Sequence, residues 1–155
     1  MNTVIEALSR TGRIPTLGVD HVAYNVPDLE AALVFFTIAF GCEVMSRNGP
    51  VDYGSGRSVT AALVRYDPDH TFELLEWRGP HVPFVAGFTD PGGGHLCFAV
   101  ADLDAALTAV RTLLRIAPEP PRQIPDGRQF SRFTTPWGLT IQLLTRGPDQ
   151  PVRCP

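Results

Sequence analysis

The chain has 155 residues, 44% hydrophobic and 19% charged, enough to bury one core and ordinary for a soluble globule. A net charge of −3 excludes a strong pull toward nucleic acid or an anionic membrane, and the longest apolar run, "AALVFFTIAF", is too short to cross a bilayer. All 13 basic residues are arginine, which excludes a lysine Schiff base and with it pyridoxal-phosphate and lysine-dependent aldolase chemistry.

Residues 1–17 carry little pattern. "VDHVAYNV" then alternates, with Val22, Tyr24 and Val26 on one face and His21, Ala23 and Asn25 on the other. Asp28 suits an N-cap, Glu30 the first helical turn and Gly41 the stop. Between them Leu29, Leu33, Phe36 and Phe40 make one buried stripe. Strands are predicted at 42–47, 58–66 and 70–77, with "NGPVDYGSG" as a turn-rich loop. "RGPHVPFVAGFTDPGG" reads as a linker.

The order then recurs. Leu96, Phe98 and Val100 alternate with His95, Cys97 and Ala99, Asp102 is the N-cap, and Leu103, Leu107, Val110 and Leu114 repeat the stripe. A Pro-rich loop, "RIAPEPPRQIPDGRQ", leads to strands "QFSRFTT" and "LTIQLLT" around the turn "PWG". The tail after Arg146 is expected to fray. Cys42, Cys97 and Cys154 form an odd set without C-x-x-C spacing, and "MNTVIEALSR" lacks the marks of a secretion signal. Both predict a cytoplasmic protein with reduced thiols. A lysine-free, Pro- and Ala-rich composition fits a GC-rich bacterial genome.

The recurrence is explicit. Aligned from His21 and His95, thirteen positions share seven identities, and "FELL" (72–75) matches "IQLL" (141–144). The predicted fold is α+β: one domain over 1–155, with βαβββ modules at 18–77 and 92–146, a linker at 78–91, and tails at 1–17 and 147–155. The modules form a concave mixed sheet with helices on the outer face. Alternation puts His21 and Glu73 on the concave face of one module and His95 and Gln142 on that of the other. A buried strand glutamate is costly unless paired or metal-bound. Two imidazoles, a carboxylate and a carboxamide oxygen suit one divalent ion (Fe, Ni, Co, Mn or Zn), with room for a substrate.

These segments resemble the vicinal oxygen chelate superfamily, which includes glyoxalase I, methylmalonyl-CoA epimerase, extradiol dioxygenases, and fosfomycin and bleomycin resistance proteins. The matching stretches are "DHVAYNVPDLEAALVFF", "FELLEW", "GGGHLCFAVADLDAAL" and "TPWGLTIQLL", over about residues 18–146. "TPWGLTIQ" resembles the family's D-P-x-G-x-x-x-E ending, with Thr135 for its Asp and Gln142 for its Glu. The resemblance implies metal ligands at His21, Glu73, His95 and Gln142, and a homodimer in which the modules of one chain pair or swap between chains. Family oxygenases usually take their Glu from the final strand, where this chain has Gln142, whereas the epimerases resemble a His, Gln, His, Glu set.

The expected activity is therefore metal-assisted isomerisation, epimerisation or lyase chemistry through an enolate, with Glu73 as the catalytic base. The alternatives are an Fe(II)-dependent oxygenase of an aromatic or polyketide-like substrate, and a metal-free small-molecule binding or resistance protein. The only other expected partner is the small-molecule substrate. Its pocket is assigned to Trp77, Phe84, Phe88, Phe130, Phe133, Trp137 and Leu144, with Arg128 gripping a carboxylate or phosphate. Glu76 is expected to point away from Glu73 into solvent, and His70 and His81 to lie at the surface.

Overall fold

The computed structural model describes residues 20–80 and 94–146. The first module contains β1 (Val22–Asn25), α1 (Leu29–Phe40), β2 (Glu43–Gly54), β3 (Arg57–Asp67) and β4 (His70–Arg78). The second contains β5 (His95–Val100), α2 (Leu103–Ala109), β6 (Arg122–Gln123), β7 (Gln129–Thr134) and β8 (Thr140–Thr145). Each module has its own four-stranded mixed sheet, in the orders β1-β4-β3-β2 and β5-β8-β7-β6. The α+β class and the tandem βαβββ order are as the sequence predicts.

Both helices start where the sequence places them. Asp28 accepts from the Ala31 N–H and Asp102 from the Ala105 N–H, each at 2.9 Å, filling one orphan donor of each first turn. Gly41, at φ 66°, ends α1 in a Schellman turn: its N–H donates to the Thr37 carbonyl, and the Cys42 N–H reaches back to that of Phe36. The second helix lacks such a glycine. It loosens into a π-helical turn over Val110–Leu114 and ends at Arg115, with φ 58°.

The loop expected at "NGPVDYGSG" is instead strand. β2 continues to Gly54, with pairing irregularities between Asn48 and Val51, and the chain reverses only at Ser55 and Gly56. β2 is an edge strand, and Pro50 sits within that irregularity, where a missing donor costs no ladder bond. Gly49 is required there, because a Cβ would stand 2.6 Å from the Val59 carbonyl oxygen. Ser55 and Gly56 both have positive φ, as a two-residue hairpin turn requires.

The core lies between the sheets and their helices. Phe36, Val64, Leu74, Leu107 and Ile141 are at most 1% exposed. It is shared by both modules: Phe40 of α1 stacks on Phe98 of β5 with ring centroids 4.0 Å apart, and Phe98 also meets Tyr66 of β3 edge-on. Among the described residues the two sheets do not join. Among the described residues β1 pairs with β4 and β5 with β8, leaving one free edge on each.

Candidate functional site

The two parallel strand pairs place their polar residues identically. Ala23 opposes Glu73 and Cys97 opposes Gln142, so each histidine stands two residues before the partner of its acid or amide. Thr71 and Thr140 precede that acid and amide by two. The Thr71 hydroxyl donates to the Asp20 carbonyl, holding the chain ahead of β1 against β4, and Thr140 opposes His95. Strand alternation puts all four residues on the sheet faces away from the helices.

In the first module this register brings His21 Nε2 to 3.5 Å from Glu73 Oε2. The other ring nitrogen, Nδ1, lies 2.7 Å from Asp20 Oδ1. A carboxylate only accepts, so Nδ1 carries a proton, and Nε2 faces the Glu73 carboxylate either as a lone pair or as a second N–H. Two acceptors so opposed repel unless a proton or a cation lies between them. A carboxylate behind one imidazole nitrogen is also the arrangement that orients metal-ligating histidines. The donor chemistry of this half therefore fits a divalent ion. Glu73 is about one quarter exposed, so part of its solvation is already lost.

In the second module His95 is exposed and Gln142 half-buried. Arg132 of β7 opposes Gln142 and is paired with Glu119 at 3.2 Å. Cys97 is exposed; burial of its surroundings pushes its thiol pKa up, against the opposing pull of the Arg146 and Arg128 guanidiniums. Among the described residues no three His, Cys, Asp or Glu side chains are arranged to hold a metal ion, so His95 does not complete such a set with His21 and Glu73 in one chain. Among the described residues the modules meet through Phe40, Phe98 and Tyr66, and β1 and β5 do not pair with each other.

The residues assigned to the pocket divide. Trp77 and Leu144 are half-buried on the faces of Glu73 and Gln142, and Phe130 opposes Leu144 with the Arg132 guanidinium over its ring at 5.6 Å. Arg128 is bound to Asp126 at 2.6 Å. Phe133 is a correction: it opposes Ile141, is 2% exposed, and belongs to the core. Trp137 is another, packing edge-on to Phe35 of α1 at 5.2 Å against the core. Phe84, Phe88 and His81 lie outside the described residues.

Glu76 also departs from expectation. It is largely buried, accepts from the Leu29 N–H at the start of α1, and pairs with Arg78 at 2.6 Å. It points away from Glu73, but into a helix terminus instead of solvent. His70 is exposed and held by Asp67. Sequence reasoning missed Arg57, which meets Trp77 as Tyr53 also does; its parity with Glu73 becomes readable only once the β2–β3 hairpin is closed. A cavity of about 330 Å³ lies between the modules, lined by Val22, Tyr24 and Phe72 of β1 and β4 and by Leu96, Cys97 and Phe98 of β5. Its walls are mainly apolar, and Glu73 is not among the residues that line it.

No helix among the described residues is long and apolar enough to cross a membrane. Comparison with known proteins adds relatives. The chain is 35% identical over 155 aligned positions to a 2-epi-5-epi-valiolone epimerase from an Actinomyces species, spanning 86% of this chain and 83% of that protein. It is 38% identical over 92 positions to the ethylmalonyl-CoA/methylmalonyl-CoA epimerase of Cereibacter sphaeroides, spanning 57% and 64% respectively. The fold is shared with a variant of the fosfomycin resistance protein FosX from Listeria monocytogenes, complexed with Mn(II) and 1S,2S-dihydroxypropylphosphonic acid: the TM-score is 0.61 at 14% identity, covering 88% of this chain and 95% of that one. The family model described as the Glyoxalase/Bleomycin resistance protein/Dioxygenase superfamily matches residues 18–143, and the chain belongs to that superfamily.

Proposed function

We propose that the protein is a metal-dependent epimerase acting at a carbon beside a carbonyl. Its site pairs His21 and Glu73 of one chain with His95 and Gln142 of a second copy. The observation that carries this reading is the 3.5 Å opposition of His21 Nε2 and Glu73 Oε2 with Nδ1 tied to Asp20, a geometry that a divalent cation between the two groups would satisfy. The matched registers support a shared site, since one module supplies half of a ligand set and the other the equivalent half. The free edges of β1 and β5 supply surfaces on which two copies can join. Both related epimerases are named for substrates with a carbonyl, a ketone in one and an acyl thioester in the other.

A divalent ion, when bound, would supply Lewis acidity that stabilises the enolate. Glu73 takes the proton from the carbon beside the carbonyl, within a site that His21 orients and the sheet shields. Inversion requires a proton on the opposite face of the planar enolate. Cys97, opposite Gln142 in register, is placed to deliver it as a neutral thiol, and Gln142 has no proton to exchange.

The test is proton exchange in D2O with 2-epi-5-epi-valiolone and with methylmalonyl-CoA, followed by NMR. Exchange and inversion of either, lost in Glu73→Gln, is the expected outcome. Exchange that survives Glu73→Gln undiminished would overturn the assignment.

A further inference from the structure

We infer that Arg57, held over Trp77, seats an anionic group, a phosphate or a carboxylate, at the far end of the substrate. This rests on the reading that substrate lies on the Glu73 face. Trp77 stands four residues beyond Glu73 on β4 and shares its face, so about 13 Å of strand separates them. Arg57 belongs to the same face, two residues before Val59, which opposes Trp77. Its guanidinium carbon sits 4.9 Å from the centre of the Trp77 ring.

This arginine is held without being neutralised. Arg47, Arg65, Arg78, Arg128 and Arg132 each pair with a carboxylate. Among the described residues no carboxylate pairs with Arg57. The indole face attracts the cation but supplies no hydrogen-bond acceptor, so the guanidinium N–H donors remain available to an oxyanion. The carboxylate of Asp52, in the same hairpin, is turned onto the Gly54 N–H at 2.7 Å.

The seat is also rigid. The Trp77 Nε1–H donates to Asn25 Oδ1 at 3.0 Å, fixing the indole, and Tyr53 packs edge-on against it with centroids 5.0 Å apart. The turn that carries Arg57 is pinned to the end of β4, where a Cβ on Gly79 would stand 2.1 Å from the Gly56 carbonyl oxygen. An unpaired cation kept in one place, on the face of the base and about 13 Å along the strand from it, is a specificity determinant for a substrate with a charged far end.

The experiment titrates the full chain with inorganic phosphate and, separately, acetate, reading tryptophan emission in a Trp137→Phe background so that Trp77 is the sole reporter. Saturable change with phosphate alone assigns a phosphate ester, and saturation with acetate as well assigns a carboxylate. Arg57→Gln should weaken the response roughly tenfold or more, with Arg57→Lys retaining part of it. Circular dichroism confirms that both variants fold. Glu73→Gln should leave the response unchanged, so loss of the epimerase reading and loss of this one are told apart. No saturation with either anion, an undiminished response in Arg57→Gln, or abolition by Glu73→Gln overturns the inference.

Discussion

His21 is held from both sides: Nδ1 lies 2.7 Å from the Asp20 carboxylate and Nε2 lies 3.5 Å from that of Glu73. One ring cannot donate to both while neutral. Asp20→Asn removes the charge that fixes the tautomer and raises the basicity of Nε2. The expected result is Mn(II) affinity about 10- to 100-fold weaker by calorimetry, with unchanged circular dichroism. Equal affinity in wild type and variant would remove Asp20 from the site.

Cys97 and Glu73 are expected to divide the work of inversion. Cys97→Ala should leave deuterium exchange intact for the epimer whose proton faces Glu73 and abolish conversion to the other epimer. NMR in D2O reads both at once. Equal loss of exchange and conversion would argue against two separate donors.

Cys42 is buried, and burial pushes its thiol pKa from 9.0 up to about 11. The neutral form is favoured in the folded state, so its stabilising effect is full below pH 9 and is lost as pH rises through 11. Denaturant midpoints should fall across that window and fall less in Cys42→Ala. In a Cys154→Ser background at neutral pH, a thiol reagent should label exposed Cys97 in the native protein and Cys42 only after unfolding.

Glu76 acts as a remote cap for α1. Glu76→Ala leaves the Leu29 N–H without its partner and breaks the pair with Arg78. A loss of about 1–2 kcal/mol in chemical denaturation is expected, with proton exchange at the substrate unchanged.

Phe133 separates packing from binding. As a core residue opposite Ile141, Phe133→Ala should cost about 3–5 kcal/mol and leave KM near wild type in whatever fraction folds. A raised KM at unchanged stability would return it to the pocket.

Where the chain's own periodicity decides the outcome, the structure was readable in advance. Asp28, Asp102 and Gly41 act within four residues of themselves, and the faces of His21, Glu73, His95 and Gln142 follow from strict alternation. The misses need a partner distant in sequence. The strand through Pro50 survives because β2 is an edge, which only the sheet order reveals. Glu76 finds its donor 47 residues away, at the start of α1. Phe133 takes the phase of Ile141 through antiparallel pairing, and Arg57 reaches Trp77 only after the hairpin turns at Ser55 and Gly56. Which half-sites meet depends on how the modules pack, and single-strand patterns carry no record of that.

The equal registers of β1 on β4 and of β5 on β8 make positions 73 and 142 structural synonyms. A carboxylate and an amide can trade places between them without disturbing either backbone. In an assembled site that exchange would carry the proton acceptor to the other flank of the same substrate. On the proposed reading, two side-chain exchanges with no change of fold would switch the face from which the substrate is deprotonated.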